Sequence, residues 1–230
     1  MDLVKYNSQF ENLISKYQIK YGDKALVVYM LRLQLLSELF KGLILRESEE
    51  TKHLFDKQYI AIQKNMTGLK IANENKPKPV RHYLKNYEVL EFSHEYFANH
   101  YRNQMSRFLN DIIILTPINI KQFAVGKWYL YVYGSNGSLT IYDKAFMPLE
   151  MLSGRDGFPT HPMIGFKTNL EVLCAGELFI AKDFQNNLGI IINNKSGHYT
   201  PSNRQLEFTA NRISHQFKIP DKNVYQLAYM

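Results

Sequence analysis

The spacing of hydrophobic residues changes near Ile112, and this change limits the possible folds more than any other feature of the chain. Before it, apolar residues recur at the spacing of helices that bury one face. After it, short β-branched and aromatic runs are separated by glycine and asparagine turns, as in antiparallel hairpins. The order of elements predicts an α+β fold. We expect a helical subdomain in residues 1–110 and an antiparallel β-rich domain in residues 111–230.

One segment of the first part is apolar almost all round. We predict a helix from about Lys24 to Arg46, and the lack of a polar face over its first two turns predicts a central, buried position. Polar residues such as Arg32 and Glu38 interrupt its apolar run, whereas a helix that crosses a bilayer needs roughly 20 mostly apolar residues. Further helices are predicted, two of them with serine N-caps, around Leu13, from Ser48 to near Gly68, and from Ser93 to about Leu109.

The second part predicts strands that pair as hairpins. Strand-forming runs on both sides of residues 134–137 indicate one hairpin, and a second joins Glu171–Ala181 to Leu188–Asn193. A helix from about Ser202 to Phe217 and a closing strand at Val224–Ala228 follow. The prediction is therefore an antiparallel sheet of hairpins with one late helix, against which the helical part packs.

Charge and cysteine content exclude several classes of function. The 28 Lys and Arg exceed the 21 Asp and Glu to give a net charge of +7, and only residues 76–82 form a local basic cluster. That cluster lacks a nucleic-acid motif, so we interpret it as a solvated linker and expect no sequence-specific nucleic-acid binding. Cys174 is the only cysteine, which excludes a disulfide scaffold and predicts folding in a reducing compartment. Because no histidine pair has helical zinc spacing around a glutamate, no metal is expected.

Residues 194–201, between a predicted strand and a predicted helix, gather the groups that can do chemistry. Such a loop presents side chains and amides at one edge of a sheet, where the helix N-terminus favours phosphate. Gly197 permits close backbone approach, and His198 can move a proton near neutral pH. Tyr199 can stack on a base or donate its hydroxyl. The alternative is a structural loop, whose histidine bonds to backbone and whose tyrosine packs.

Two motifs in this order carry a resemblance: Ala175-Gly176-Glu177-Leu178 and Ser196-Gly197-His198-Tyr199-x-Pro201. Together they resemble a C-terminal module of plant IQ-motif-containing calmodulin-binding proteins, and similar modules occur in bacterial secreted toxins and effectors. The resemblance covers about residues 125–220. The chain departs from the module at His161-Pro162-Met163, where the module has His-Ser-Ser, and at Thr200, where it has arginine.

The resemblance implies a protein-modifying transferase of the secreted effector or toxin type, which moves ADP-ribose from NAD or AMP from ATP onto a host protein. Such an effector would fold in the bacterial cytoplasm and act in the host cytosol. The implied residues form a catalytic and a ligand-binding set: catalytic His198, Glu177 and His161, and ligand-binding Ser196, Gly197, Tyr199 and Arg155.

Each set has a defined role in that interpretation. Ser196 and Gly197 hold phosphate or ribose, and Tyr199 stacks on a ring. His198 orients or deprotonates the attacking group. The alternative is a protein-binding module of the same fold with a degraded site, which the missing serines and the missing loop arginine favour. An IQ-like stretch at residues 62–68 lacks the basic residues that calmodulin recognition requires, so calmodulin is not an expected partner.

The predicted hairpin register sets the geometry of the site. It places residues 193–194, at the end of the second hairpin, across from about residues 172–176, with a few residues of register error allowed, so His198 is expected to be partly exposed at the mouth of a concave pocket. An exposed loop histidine packs little, and we expect His198→Ala to change stability by no more than about 0.5 kcal/mol. Glu177, His161 or Arg155 is expected within one side chain's reach of this histidine.

Overall fold

A computed structural model describes residues 2–46, 48–67, 69, 77–84, 86–123, 126–152 and 157–229 of the chain. Three long helices come first, and an eight-stranded sheet with a late helix before its last strand follows them. This order confirms the α+β fold predicted from the change in hydrophobic spacing.

The helical part has α2 at its centre, as predicted. The helices are α1 (Leu3–Tyr21), α2 (Leu26–Arg46) and α3 (Glu49–Met66). From Val28 to Phe40, every residue of α2 except Glu38 is buried. Helix α2 packs against α1 and α3 and also against the sheet, which explains why it has no polar face.

The remaining elements are mostly short. The strands are β1 (Val80–Leu84), β2 (Tyr87–Glu91), β3 (Ile112–Leu115), β4 (Lys127–Gly134), β5 (Leu139–Tyr142), β6 (Glu171–Lys182), β7 (Leu188–Asn193) and β8 (Val224–Leu227). The α-helices after α3 are α4 (His94–His100), α5 (His161–Gly165) and α6 (Asn203–Phe217). Short 3₁₀ helices fill parts of the connections: Arg102–Arg107, Leu109–Asp111, Ile120–Gln122, Pro148–Leu152, Phe166–Thr168 and Asp221–Asn223.

Strand β6 organises the sheet. One of its edges pairs with β4, which continues through β5 to β3. Its other edge is shared, because β2 pairs with residues 171–172 and β7 pairs with residues 178–182. Strand β1 extends the sheet beyond β2, and β8 extends it beyond β7. Residues 173–177 of β6 therefore lie between β2 and β7, at the place where the chain leaves β7 towards α6.

The two faces of the sheet are both buried. Trp128 and Phe179 lie on the face that packs against α2, where Phe179 contacts the ring of Phe40. Tyr131 and Ile192 belong to the opposite face, which packs against α6. Burial on both faces explains the continuous apolar run of β7, since such a strand has no solvent-facing side that requires polar residues.

Three features differ from the sequence prediction. The hairpin β1–β2 lies inside residues 1–110, which were assigned to helices, and it joins the sheet through β2 and β6. Helix α4 ends at His100 instead of Leu109, because Asn99, Asn103 and Ser106 are weak helix formers and the chain continues as 3₁₀ turns. The pairing of β7 with β8 is parallel, since α6 serves as the crossover between them.

None of the described helices is long and apolar enough to cross a membrane. The long apolar segment of the helical part is helix α2, which packs against α1, α3 and the sheet. It also carries buried polar residues. Arg32, for example, is buried and donates from Nη1 to Oε1 of Gln58 on α3 at 3.2 Å.

Candidate functional site

The loop that leaves β7 begins at a buried asparagine. Leu178 pairs with Ile192, so Asn193 lies opposite Glu177, one residue beyond the predicted 172–176 and within the few residues of register error that the prediction allowed. The Oδ1 atom of Asn193 accepts from the backbone N–H of Glu177 at 2.8 Å and from that of Lys195 at 3.1 Å. One side chain therefore links the middle of β6 to the first turn of the loop, and this link sets the position of the residues that follow.

A buried ion pair lies beside this asparagine. Lys195 Nζ is 3.1 Å from Glu177 Oε1, and the two side chains are 3% and 2% exposed. Glu177 Oε2 accepts from the Tyr29 hydroxyl at 3.1 Å and from Asn193 Nδ2 at 2.9 Å. The ammonium group also lies 4.7 Å from the centroid of the Tyr29 ring. Because three donors hold the carboxylate inside the protein, Glu177 is placed to fix the loop and helix α2 rather than to meet a ligand.

His161 is also buried, at the start of the short helix α5. Its Nε2 is 3.0 Å from the carbonyl oxygen of Gly176, so that nitrogen carries the proton and donates. The contact joins α5 to β6 one residue before Glu177. His161 thus lies near the buried ion pair along the strand, and its Nε2 is engaged with backbone.

Tyr199 is fully buried, which differs from its expected role of stacking on a ligand. Its hydroxyl donates to the carbonyl oxygen of Leu170 at 3.3 Å, and burial raises the pKa of that hydroxyl well above its usual range. Its backbone N–H donates to Ser196 Oγ at 3.3 Å, and Ser196 is itself buried. Ser196 and Tyr199 therefore hold the loop in shape from within.

His198 was predicted to be partly exposed, and that prediction is wrong: the residue is 7% exposed. Its Nε2 is 2.9 Å from the hydroxyl of Tyr101, and its ring lies 5.8 Å from that of Phe92. Both neighbours belong to the segment around α4, and the sequence spacing did not predict that this segment lies against the loop. Burial raises the pKa of Tyr101 to about 12, so its hydroxyl keeps its proton at neutral pH.

The predicted concave pocket is present on one side of the loop. A cleft of about 500 Å³ lies between the segment at residues 77–81 and the loop, and it is lined by Pro77, Lys78, Pro79, Arg81, Gly197, His198 and Thr200. His198 and Gly197 are thus the predicted site residues that reach it, whereas Glu177, His161, Ser196 and Tyr199 are not among its described lining residues. Arg155 lies outside the described residues.

The cationic residues of the cleft come from the basic cluster that the sequence analysis interpreted as a linker. Arg81 Nη1 is 3.0 Å from Glu88 Oε2, and its Nη2 donates to the carbonyl oxygen of Thr200 at 2.9 Å. Thr200 has a φ of 45°, a left-handed conformation that costs a non-glycine residue about 1–3 kcal/mol. The bond from Arg81 therefore secures a strained corner of the loop. The sequence does contain a signal for this wall of the cleft: Lys78 and Arg81 lie close to prolines, which favour an extended backbone.

We expect His198→Ala to lower the free energy of unfolding by about 1–3 kcal/mol, because the change leaves the half-buried Tyr101 hydroxyl without its 2.9 Å partner. Urea unfolding measures the loss. The exposed His53 on α3 provides the control, since His53→Ala should stay within about 0.5 kcal/mol of the unmodified chain. Equal stabilities for the two variants would show that the His198 contact contributes nothing and that the histidine behaves as an exposed loop residue.

No protein-family model, curated protein or solved structure matches this chain. The resemblance to the plant and bacterial modules therefore stays a prediction. The function proposed below rests on the residues of the cleft and on their geometry.

Proposed function

We propose that the chain binds a phosphate-bearing anionic ligand in the cleft between residues 77–81 and the Ser-Gly-His-Tyr loop. The observation that carries this proposal is the charge of the cleft lining. Lys78, Arg81 and His198 are its titratable residues, and none of its described lining residues is acidic. A concave surface lined by one sign of charge concentrates ligands of the opposite sign.

The size of the cleft suits a small organic anion. Its volume of about 500 Å³ lies within the range of roughly 300–1,000 Å³ that is typical of small-molecule sites. Pro77 and Pro79 have restricted backbones, so the wall that they form needs little ordering when a ligand binds. Gly197 lacks a side chain and lets a ligand approach the backbone of the loop.

Arg81 is the residue best placed to bind a phosphate. A guanidinium has five N–H donors, and the two described side-chain bonds of Arg81, to Glu88 and Thr200, engage Nη1 and Nη2. These bonds hold the planar group in position, and the other N–H groups suit the oxygen geometry of a phosphate. The module that the chain resembles has arginine where this chain has Thr200. Arg81 brings a guanidinium from β1 to that same corner, which supports a phosphate-binding role for the cleft.

The test measures binding of ADP-ribose, ATP and pyrophosphate to the full chain by calorimetry. We expect Arg81→Met to weaken binding by about tenfold or more, because one charge-assisted pair is worth roughly 1.5–3 kcal/mol. Lys78→Met should have a smaller effect, since Arg81 is held in position by its bonds to Glu88 and Thr200 and no such bond is described for Lys78. Lys16→Met is the control: it removes the same charge from α1, which contributes none of the described lining residues. Equal binding by the Arg81 and Lys16 variants, or no binding by the unmodified chain, would refute the proposal.

Group transfer is a second candidate function, and the position of His198 favours it. The histidine lines the cleft with its Nε2 2.9 Å from the Tyr101 hydroxyl, which gives the wall a group that can accept a proton. In this reaction a nucleophile of a host protein attacks C1′ of the NAD ribose, and nicotinamide leaves. With ATP it attacks the α-phosphate, and pyrophosphate leaves. In both cases the nucleophile's proton passes to His198. Glu177 and His161, which are held inside the protein, act here as positioning residues.

Labelled NAD and labelled ATP separate the two candidates when each is incubated with the chain and a host-cell lysate. Label in a lysate protein that disappears with His198→Gln, in a variant that still binds the donor, supports transfer. Binding of NAD or ATP without label in any lysate protein supports ligand binding without group transfer. Tyr101→Phe is the matched variant, because it removes the hydroxyl beside the ring and leaves the histidine in place. Label that persists in His198→Gln would exclude His198 as the proton acceptor.

A further inference from the structure

A mixed cluster of histidine and glutamate lies across three strands, apart from the cleft lining. His82 on β1, Glu91 on β2 and Glu171 on β6 each direct one ligand-type atom to a common point, and these atoms lie within 4.8 Å of one another. Glu91 and Glu171 are direct partners in the register between β2 and β6. All three residues are half-buried, so the cluster is neither a fully solvated surface group nor a core pair.

The two glutamates need a positive charge between them. Like charges directly opposite on adjacent strands destabilise a sheet, and the effect grows when the pair is partly removed from water. The nearby histidines are too distant to neutralise Glu91 through hydrogen bonds. His82 Nδ1 is 3.9 Å from Glu91 Oε2, and His94 Nε2 is 3.7 Å from Glu91 Oε1, both beyond hydrogen-bond distance.

These separations suit a shared metal ion. Ligand atoms bound at about 2.1 Å to a tetrahedral ion lie about 3.4 Å from one another. His82 Nδ1 and Glu91 Oε2 are 3.9 Å apart, and all three ligand-type atoms lie within 4.8 Å of one another. Small side-chain rotations would close the remaining gap. Glu171 is also held in orientation, because Ser135 Oγ donates to its Oε2 at 3.0 Å. Bonds of this kind from outside the ligand set commonly orient metal-binding carboxylates.

We infer that His82, Glu91 and Glu171 bind a divalent cation, with zinc as the best-suited ion and His94 as an additional donor. Imidazole nitrogen and carboxylate oxygen form a donor set that zinc accepts readily, whereas calcium and magnesium prefer oxygen alone. The ion would link β1, β2 and β6, and it would strengthen a weak point, since β2 pairs with β6 through only two described residue pairs. Cysteine count and helical histidine spacing predicted no metal, because neither pattern detects ligands that come from three separate strands.

The cation site is independent of the proposed phosphate cleft, and its test uses zinc alone. Calorimetric titration of the chelator-treated full chain with zinc chloride should show one bound ion. We expect His82→Gln and Glu171→Gln each to weaken binding by about tenfold or more, because each removes one of three ligands. His53→Gln and Glu207→Gln are matched controls, since both residues are exposed on other elements. Magnesium chloride in place of zinc should bind at least about tenfold more weakly.

A second measurement keeps the inference testable where a variant alters the fold. Hydrogen exchange of the β1 and β2 amides should slow on addition of zinc to the unmodified chain, because the ion joins both strands to β6. In Glu171→Gln, exchange should be unaffected by zinc and slower than in the metal-free unmodified chain, since the substitution removes the carboxylate repulsion. Zinc binding that is equal in the cluster and control variants, or zinc that leaves β1 and β2 exchange unchanged, would overturn the inference.

Discussion

Replacing Lys195 with methionine should lower the free energy of unfolding by about 3–5 kcal/mol, which is the usual result of removing one partner from a buried ion pair. The loss is large because the Lys195 and Glu177 side chains are 3% and 2% exposed. Without the ammonium group, the carboxylate that accepts from the Tyr29 hydroxyl and the Asn193 amide stays in the interior without its positively charged partner. Two neutral donors do not replace a positive charge at 3.1 Å.

The double variant Lys195→Met, Glu177→Gln should recover most of this loss. A neutral amide at position 177 can still accept from Tyr29 and Asn193, and no unpaired charge is then buried. Substituting both partners of a buried pair is often close to neutral. The double-mutant cycle should therefore give a coupling free energy of about 2 kcal/mol or more.

Urea unfolding followed by tryptophan fluorescence measures these changes, because Trp128 is the only tryptophan and is fully buried in the sheet. Lys167→Met is the control, since Lys167 is exposed in the turn after α5. Its effect should be within about 0.5 kcal/mol. A Lys195→Met variant that loses less than about 1 kcal/mol would show that the pair contributes no more than a surface salt bridge.

The fold was predictable wherever one element carries its own signal. The hairpins around residues 134–137 and 182–188 have strand-forming runs beside a turn, and the late helix has Ser202 as its N-cap, so their positions agree closely with prediction. The hairpin β1–β2 carries no such signal: each strand has five residues, and β1 is mostly exposed. Its place in the sheet depends on pairing with β6, about 80 residues later in the chain, which local spacing does not encode.

The register of the second hairpin was within reach of sequence reasoning. Pairing of Lys182 with Leu188 at the turn places Asn193 opposite Glu177 when residues are counted back from the turn. The prediction took residues 182–187 as the turn, whereas Lys182 already pairs with Leu188, so the observed register lies one residue beyond the predicted range. An antiparallel register is set from the turn outwards, so the shorter strand determines where the pairing ends.

The burial of the loop could not be predicted in this way. Tyr29 reaches Glu177 from α2, and Tyr101 covers His198 from the segment after α4. Each contact joins residues about 100 positions apart or more, and each depends on how the helical part docks on the sheet. Residue types and spacing selected this loop as the candidate site, whereas its solvent exposure depends on this packing.

The Ala-Gly-Glu-Leu motif makes a close contact with Asn193, three residues before the Ser-Gly-His-Tyr motif begins. Gly176 lies where a Cβ would be 2.2 Å from the backbone oxygen of Asn193 and 2.7 Å from its Oδ1. The glycine therefore allows the residue that begins the loop to approach β6, and Asn193 then binds the amide of Glu177 at 2.8 Å. In this protein the Ala-Gly-Glu-Leu motif allows the loop that carries His198 to pack closely against β6.

Gly176→Ala should consequently lower the free energy of unfolding by about 3 kcal/mol, at the upper end of the range for overpacked sites. The added methyl group must displace backbone, because the atom it meets first is the carbonyl oxygen of Asn193. The shift would also strain the bond from His161 to the Gly176 carbonyl. Urea unfolding measures the loss, and Gly157→Ala is the control, since nothing lies within 4 Å of a Cβ there. If both alanine variants were equally stable, the loop would not depend on close approach at Gly176, and the contact between Gly176 and Asn193 would have to be adjustable.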